Sequence, residues 1–493
     1  MRYLGLIVSF FLVAFGQPYF NKGLAVVGAL LGFGIFFHAL LQFKRRFLVA
    51  SLWFTAVQLI DLIWFCTPKY HGPMIILVWV LISLWLGVQF GAIKWCLPNQ
   101  GKPQVKHALA AASFCTLTEF ARYFVFCGFA FNPAGLPWTA SLYSLQCVSF
   151  FGILGFTFWT IFLGVIFAAG KRHLFLASAA LPFLLGALLY YPRKRGAERE
   201  KESLKALLVQ TGLKQEQKMP MPGFYSSFIP PIEQWQHLLS LIPKDQEFDL
   251  VVLPEAAFPY GAHQVIFPNQ ETNGDYAREL RRFLGADLLV GLDDSDEKGN
   301  HNAAFFFTEK ERERYEKRVL VPLGEYLPFA GLRKLAAKYG LTQFFTEGRE
   351  AKVFYGRVPL SPTICYEECY PHLVRQGRRK GAELFVNITN DGFYPDSILP
   401  KVHFAHGLVR SVENGVPVLR SCNTGVTAAV DSLGRVQGKI EGEWEKRGLV
   451  TQVPMFTYQT LYSRFGDYPL LFFSLIILLF LQLNSKRDKL DHC

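Results

Sequence analysis

Four short β-type runs in the second half of the chain each lead to a group able to do chemistry. Val251-Val252-Leu253-Pro254 leads to Glu255, and the charged run Glu309–Glu316 leads to Lys317, with Glu325 eight residues on. Ser361-Pro362-Thr363-Ile364 leads to Cys365, followed by Tyr366, Glu367 and Glu368, and Val386–Thr389 leads to Asn390-Asp391. Taken alone, each has a plain reading: an exposed loop carboxylate, a solvated helix charge, a small hydrophobe buried in a strand. Together they suit nucleophilic acyl transfer. A thiol with a pKa near 8.5 is little ionised at neutral pH and needs a base or a nearby cation. Glu255 is able to take the thiol proton, and Lys317 to favour both a thiolate and the oxyanion that acyl transfer creates. Groups at the ends of buried strands are held rigidly enough for such work.

The elements that hold these groups lie between residues 204 and 455. LKALLVQT, FDLVVLPE, ADLLVGL, NAAFFFTE, SPTICYEE, AELFVNITND, VPVLRSC and TAAVDSLG are short apolar β-type runs. Helix-like segments separate several of them, Tyr276–Leu284 and Leu332–Tyr339 among them, which predicts an α/β domain with largely buried sheets. Residues 214–232, rich in Pro and polar side chains, read as a loop.

The rest of the chain is unlike a soluble protein. Of its 493 residues 51% are hydrophobic and 15% aromatic, with 47 Phe, and its mean hydropathy is +0.21. Apolar runs near the ~20 residues that cross a bilayer occupy about 2–16, 23–42, 47–66, 73–96, 107–130, 144–169, 173–191 and 468–483. The first is read as a span, because no small-residue cleavage motif follows it. Lys44-Arg45-Arg46, the group Lys94, Lys102 and Lys106, Lys171-Arg172, and Lys486, Arg487 and Lys489 follow even-numbered runs. Only Lys22 and Lys69 follow odd ones. The positive-inside rule then puts both termini in the cytoplasm and the long segment outside, since long translocated domains are exempt from it. The net charge of +12 forms no continuous patch, which argues against nucleic acid. No Walker A, GxSxG or strand-to-helix GxGxxG pattern supports nucleotide binding. No CxxC pair suggests a zinc ribbon.

LPEAAFP, YEKRVLVPLGEYLP, ICYEE, NITNDGF and VLRSCNTGVTA are similar to the motifs of the nitrilase superfamily. With the apolar runs, and with Thr118-Glu119 followed by Gly135-Leu136-Pro137-Trp138, nearly the whole chain resembles the bacterial apolipoprotein N-acyltransferases. The resemblance implies a multi-span α-helical membrane domain (1–191), an extracytoplasmic nitrilase-like αββα sandwich carrying the catalytic site (192–466), and a final span with a cytoplasmic tail (467–493). It makes Glu255 the general base, Lys317 the oxyanion stabiliser and Cys365 the nucleophile, with the backbone N–H of Tyr366 as a second oxyanion donor. Glu325, Tyr366 and Glu367 become supporting residues, the two carboxylates orienting Lys317 or holding the loops.

The implied reaction moves an acyl chain from a phospholipid, phosphatidylethanolamine being the expected donor, through a Cys365 thioester to the α-amino group of a diacylglyceryl apolipoprotein. It takes place at the outer face of the bacterial inner membrane. No metal or organic cofactor is required, and a monomer is expected. Residues 219–231 and 329–345 are candidate membrane-dipping lids.

Two departures from the family pattern bear on the acyl donor. Gln210-Thr211-Gly212-Leu213 replaces Q-G-N-I, with no Trp before Trp235, and Phe393-Tyr394 stands where a Trp is usual. His403 and His406 read as core packing, having no third metal ligand nearby in sequence. An outside location leaves a Cys369–Cys422 disulfide open beside two free thiols. The rival readings are a membrane-tethered amidase using the same triad, and a non-catalytic transporter or scaffold for which an intramembrane Glu119 would be a functional charge.

Overall fold

A computed structural model describes residues 1–125, 128–265, 271–322, 324–327, 331 and 344–490. Most of the expected lid 329–345, and the expected helix Leu332–Tyr339, lie outside these residues. The chain divides into two compact units, Met1–Arg193 with Thr460–Cys493, and Lys194–Gln459.

In the first unit, helices occupy every apolar run read from the sequence. Among the described residues, four are long and apolar enough to cross a membrane: Lys22–Leu40, Met74–Cys96, Val148–Ala168 and Arg172–Arg199. Arg2–Ala14 and Tyr468–Leu483 are shorter apolar helices, and Arg46–Asp61 and Val105–Ala121 have 16 and 17 residues. The run 107–130 is therefore not one helix; it ends at Ala121, and the chain beyond turns toward a 3₁₀ segment at Leu136–Ala140. Aromatic stacking joins the helices, Phe36 on Trp53 at 4.0 Å and Phe54 on Phe90 at 4.3 Å between ring centres. Glu119 is bound rather than free. One oxygen accepts the N–H of Ala134 at 2.9 Å and the other the hydroxyl of Thr157. The Trp138 indole donates to Thr160 at 2.8 Å. A side chain at Gly135 would fall 2.5 Å from the Thr157 nitrogen, so only glycine permits this approach. The Thr118-Glu119 and GLPW motifs thus fix one buried turn.

The second unit is a sandwich of two six-stranded sheets with helices on both outer faces. Its strands are β1 (Ser203–Gln210), β2 (Leu250–Val252), β3 (Asp287–Asp296), β4 (Gly299–Phe307), β5 (Arg312–Glu316), β6 (Phe354–Tyr355), β7 (Pro359–Ile364), β8 (Leu384–Thr389), β9 (Val418–Cys422), β10 (Thr427–Val430), β11 (Val436–Ile440) and β12 (Arg447–Pro454). One sheet has the order β12-β1-β2-β3-β4-β5 and the other β11-β10-β9-β8-β7-β6. β1, β2 and β3 run parallel, as do β7, β8 and β9. Alternation decides the layers. Ala206, Leu208, Val252 and Leu289 face Leu360, Ile364, Val386 and Leu419 across the sheets. Leu207, Val209, Val251 and Val290 face the helices Pro231–Ser240 and Asn273–Leu284. Phe385 and Val418 face the helices Pro371–Arg379 and Leu399–Asn414. Burial on both faces explains why the central strands read as nearly unbroken apolar runs. This is the αββα sandwich expected from the sequence.

One local expectation changes, and one open point is settled. Residues 214–232 are not all loop: a helical turn forms at Gln215–Lys218, and the helix from Pro231 begins within them. Trp235 is no active-site loop residue. It is buried, stacked on Phe258 at 3.7 Å, with its indole donating to Asn273 at 3.1 Å, because the apolar face of its helix packs on β1 and β2.

Candidate active site

Sheet order gathers the chemistry-bearing residues. Glu255 follows β2, Lys317 directly follows β5, Cys365 directly follows β7, and Asp391 lies just beyond β8. Glu255 can sit against β3 only because residue 291 is glycine, where a Cβ would come within 2.6 Å of the Glu255 Cα.

Lys317 is almost fully buried, and its ammonium donates to Glu255 Oε1 at 3.1 Å and Glu325 Oε1 at 2.7 Å. Burial alone would lower its pKa, but the Glu255 and Glu325 carboxylates outweigh it and hold the amine well above its usual value. Asn302 on β4 donates through the same Nδ2 to Glu255 at 2.8 Å and to Glu325 at 2.9 Å. Glu325 also accepts the Val321 N–H at 2.8 Å, which closes its loop under Lys317. Two carboxylates around one ammonium leave this cluster net negative before the thiol is counted.

Cys365 occupies a left-handed turn at φ 52°, unusual for a residue with a side chain. Its carbonyl accepts from Asn387 at 3.2 Å and lies 3.1 Å from the His403 Nε2. Burial, then the Glu255 charge, push the thiol well above its ordinary value, with Lys317 pulling the other way. The resting sulfur is thus held as a thiol. Glu255 and Lys317 both act electrostatically on Cys365, the carboxylate holding the proton on the thiol and the ammonium favouring the anion.

Glu367 is fully buried and ties the two strand ends together. Oε2 accepts the Ile364 N–H at 2.7 Å and the Tyr315 hydroxyl at 2.8 Å. Oε1 accepts the N–H groups of Arg318 and Val319. Glu325 thus bonds Lys317 directly, whereas Glu367 bonds the backbone just after Lys317 and just before Cys365. Tyr366 is buried with its ring edge-on to Tyr370 at 5.0 Å.

Three residues near this site, Lys218 and His403 buried and Asp293 partly so, escaped sequence reasoning. Lys218 donates to the Glu255 carbonyl at 3.3 Å, and burial lowers its pKa to about 8. Asp293, beside the same groups, is pushed up to about 7 by burial and then by the Glu255 and Glu325 charges. His403 is more than core packing. It lies 2.9 Å from Asp391 and 3.0 Å from Glu368, which is itself clamped by Arg420 at 2.6 Å. Burial opposes its charge, but Asp391 and Glu368 prevail and keep the imidazole protonated. His406, facing Arg410 and His403, is driven the other way by burial and stays neutral. Polar residues in a helix have no sequence signal for this; only the contact with the Cys365 turn reveals it.

Atoms of Cys365, Asp391 and His403 converge within 4.8 Å, as do those of Asp296, His301 and Glu316. Neither set suits a metal. Both His403 ring nitrogens are engaged by carboxylates, and Arg314 already places its guanidinium between Asp296 and Glu316. Cys369 and Cys422 are free thiols. The latter points at the Val426 carbonyl at 3.4 Å and the former bonds His403, so no disulfide links them.

Residues 219–461 match the family model of carbon-nitrogen hydrolases, and residues 8–166 match that of the apolipoprotein N-acyltransferase N-terminal domain. Apolipoprotein N-acyltransferase of Chlamydia pneumoniae is 32% identical over 96% of this chain and 95% of its own. The chain belongs to the apolipoprotein N-acyltransferase family. The Haemophilus influenzae member is 28% identical over 76% of this chain and 74% of its own. A CN-hydrolase superfamily protein of Xanthomonas campestris is 18% identical, with a TM-score of 0.37, over 55% of this chain and 97% of that one. Like the rest of the apolipoprotein N-acyltransferase family, this is a multi-pass membrane enzyme of the acyltransferase class, with a nitrilase-like domain.

Proposed function

We propose that this enzyme N-acylates lipoproteins by a two-step transfer through Cys365, the observation that carries the reading being a buried Lys317 shared by Glu255 and Glu325 beside a neutral strand-end thiol. The Cys365 sulfur attacks the ester carbonyl of a phospholipid while Glu255 takes the thiol proton. Lys317 and the Tyr366 N–H receive the oxyanion. The intermediate collapses, the C–O bond breaks, and the lysophospholipid oxygen recovers the proton from Glu255, leaving a thioester. The α-amino nitrogen of a diacylglyceryl cysteine then attacks the thioester and loses a proton to Glu255. The C–S bond breaks, the amide is released, and the thiol is restored. One site serving two substrates in turn gives ping-pong kinetics.

Phosphatidylethanolamine is the donor in this reading and the enzyme acts as a monomer. Residues 1–191 form seven spans, 192–466 the catalytic domain at the periplasmic face of the inner membrane, and 467–493 the last span and tail. Loop charge after even-numbered spans supports the orientation, and substrates anchored in a bilayer supply the reason for the spans. The test is the intact mass of the purified protein after incubation with phosphatidylethanolamine, beside Cys365→Ala. One hydroxylamine-labile acyl chain, absent from the variant and discharged by a diacylglyceryl-cysteine peptide, supports the reading. Discharge by water at the same rate with or without the peptide makes the protein an amidase-like hydrolase, and an adduct that survives in Cys365→Ala removes the nucleophile.

A further inference from the structure

The helical unit holds a small polar cavity that acyl transfer does not use. It has room for about one water-sized particle, about 10 Å³, and is lined by Gln17, Gln58, Asp61 and Asn132 among apolar residues. All four are at least 95% buried. Gln17 Oε1, Gln58 Oε1 and both side-chain polar atoms of Asn132 are buried without a hydrogen-bond partner. Among the described residues, Asp61 receives a hydrogen bond only from the Tyr19 hydroxyl, at 3.4 Å. Orphaned polar atoms at this depth are costly, so a group that satisfies several at once is strongly favoured.

Backbone geometry is also broken here. The helix Arg2–Ala14 ends just before the cavity-lining Gly16 and Gln17, a π-helical turn spans Gly28–Gly32 on its other side, and Asn132 itself sits at φ 54°. Interrupted helices with convergent oxygens are how membrane proteins build small cation sites. The charge balance points the same way. A carboxylate, two amide carbonyls and an Asn side chain converge, while no Lys, Arg or His lines the cavity. A water would leave an ionised Asp61 uncompensated, and a divalent ion would leave an excess positive charge in an apolar setting. A monovalent ion neutralises it, and the space admits a small one.

We propose that Asp61, Gln17, Gln58 and Asn132 bind a single sodium ion that locks the ends of two helices and the 132–135 turn together. The ion is structural, and its site is independent of the acyl-transfer chemistry. The test uses the full-length protein in detergent at constant ionic strength, with sodium chloride replaced by potassium or choline chloride. Sodium is expected to raise the melting midpoint by about 2–4 °C over choline, saturably and more than potassium, and Asp61→Asn to lose the response. Equilibrium binding of radioactive sodium to the wild-type protein gives a second reading that needs no variant, one ion per chain being expected. A midpoint indifferent to the cation, or no displaceable sodium on the wild type, overturns the proposal and leaves a bound water with a protonated Asp61.

Discussion

Glu367→Gln tests whether the nucleophile and the lysine are positioned as one unit. In the wild type both carboxylate oxygens face donors: Ile364 N–H and Tyr315 O–H on one side, Arg318 and Val319 N–H on the other. Burial and the Glu367 charge keep the Tyr315 hydroxyl protonated, so it is always a donor. A glutamine keeps a single acceptor oxygen. Whichever way its amide turns, its NH₂ confronts two N–H or O–H groups, and either the Cys365 turn or the Lys317 strand end is released. Two hydrogen bonds to a charged acceptor, at about 1.5–3 kcal/mol each, put about 3–6 kcal/mol at stake. Part of this falls on folding. If only about half falls on site geometry, thioester formation slows by ~10- to ~150-fold, since about 1.4 kcal/mol is a factor of ten. The assay mixes detergent-solubilised protein with phosphatidylethanolamine, quenches at intervals, and reads the acyl adduct by intact mass below the melting midpoint of the variant. Glu367→Asp keeps the charge but lacks the reach for both sides, so it recovers little. A Glu367→Gln variant that acylates within threefold of the wild-type rate, with an unchanged midpoint, would refute the coupling.

Lys317→Met is expected to cut thioester formation by ~10²–10³-fold, the scale of a lost oxyanion donor, and Lys317→Arg not to restore it, because the planar fork does not match an ammonium site flanked by two carboxylates; burst amplitude in the same mass assay decides. His403→Ala leaves Asp391 and Glu368 buried and facing one another, which costs about 3–5 kcal/mol. The melting midpoint should fall by roughly 10 °C, and single-turnover acylation below it should slow more than tenfold if His403 also positions the Cys365 turn; a purely structural role would leave that rate alone. For Asp293 the sign is fixed by its pKa, raised from an ordinary carboxylate value to about 7. Folding favours the protonated form, so stability from this group is present at low pH and lost as pH rises toward 7. Asp293→Asn should match the wild type near pH 4 and exceed it in melting midpoint at pH 8. A variant less stable than the wild type at pH 8 would count against that assignment.

The sequence by itself determined the architecture and singled out the candidate reactive residues, because both are written in local pattern. Strands covered on both faces leave apolar runs such as FDLVVLPE and AELFVNIT, apolar helices leave runs of bilayer length, and Glu255, Lys317 and Cys365 each close a strand where a rigid sheet ends. Distance along the chain carries no such record. That Asn302 bridges Glu255 and Glu325, or that Lys218 reaches the Glu255 carbonyl from a segment read as loop, follows from which strands are neighbours. The place of Trp235 was open in the sequence, and the helix it lies on turns that face to the core. His403 and His406 are three residues apart on one helix and read alike in sequence, yet one is held charged between two carboxylates and the other neutral beside Arg410. Electrostatics at a buried site depend on what folding brings within a few ångströms, and only tertiary structure decides that.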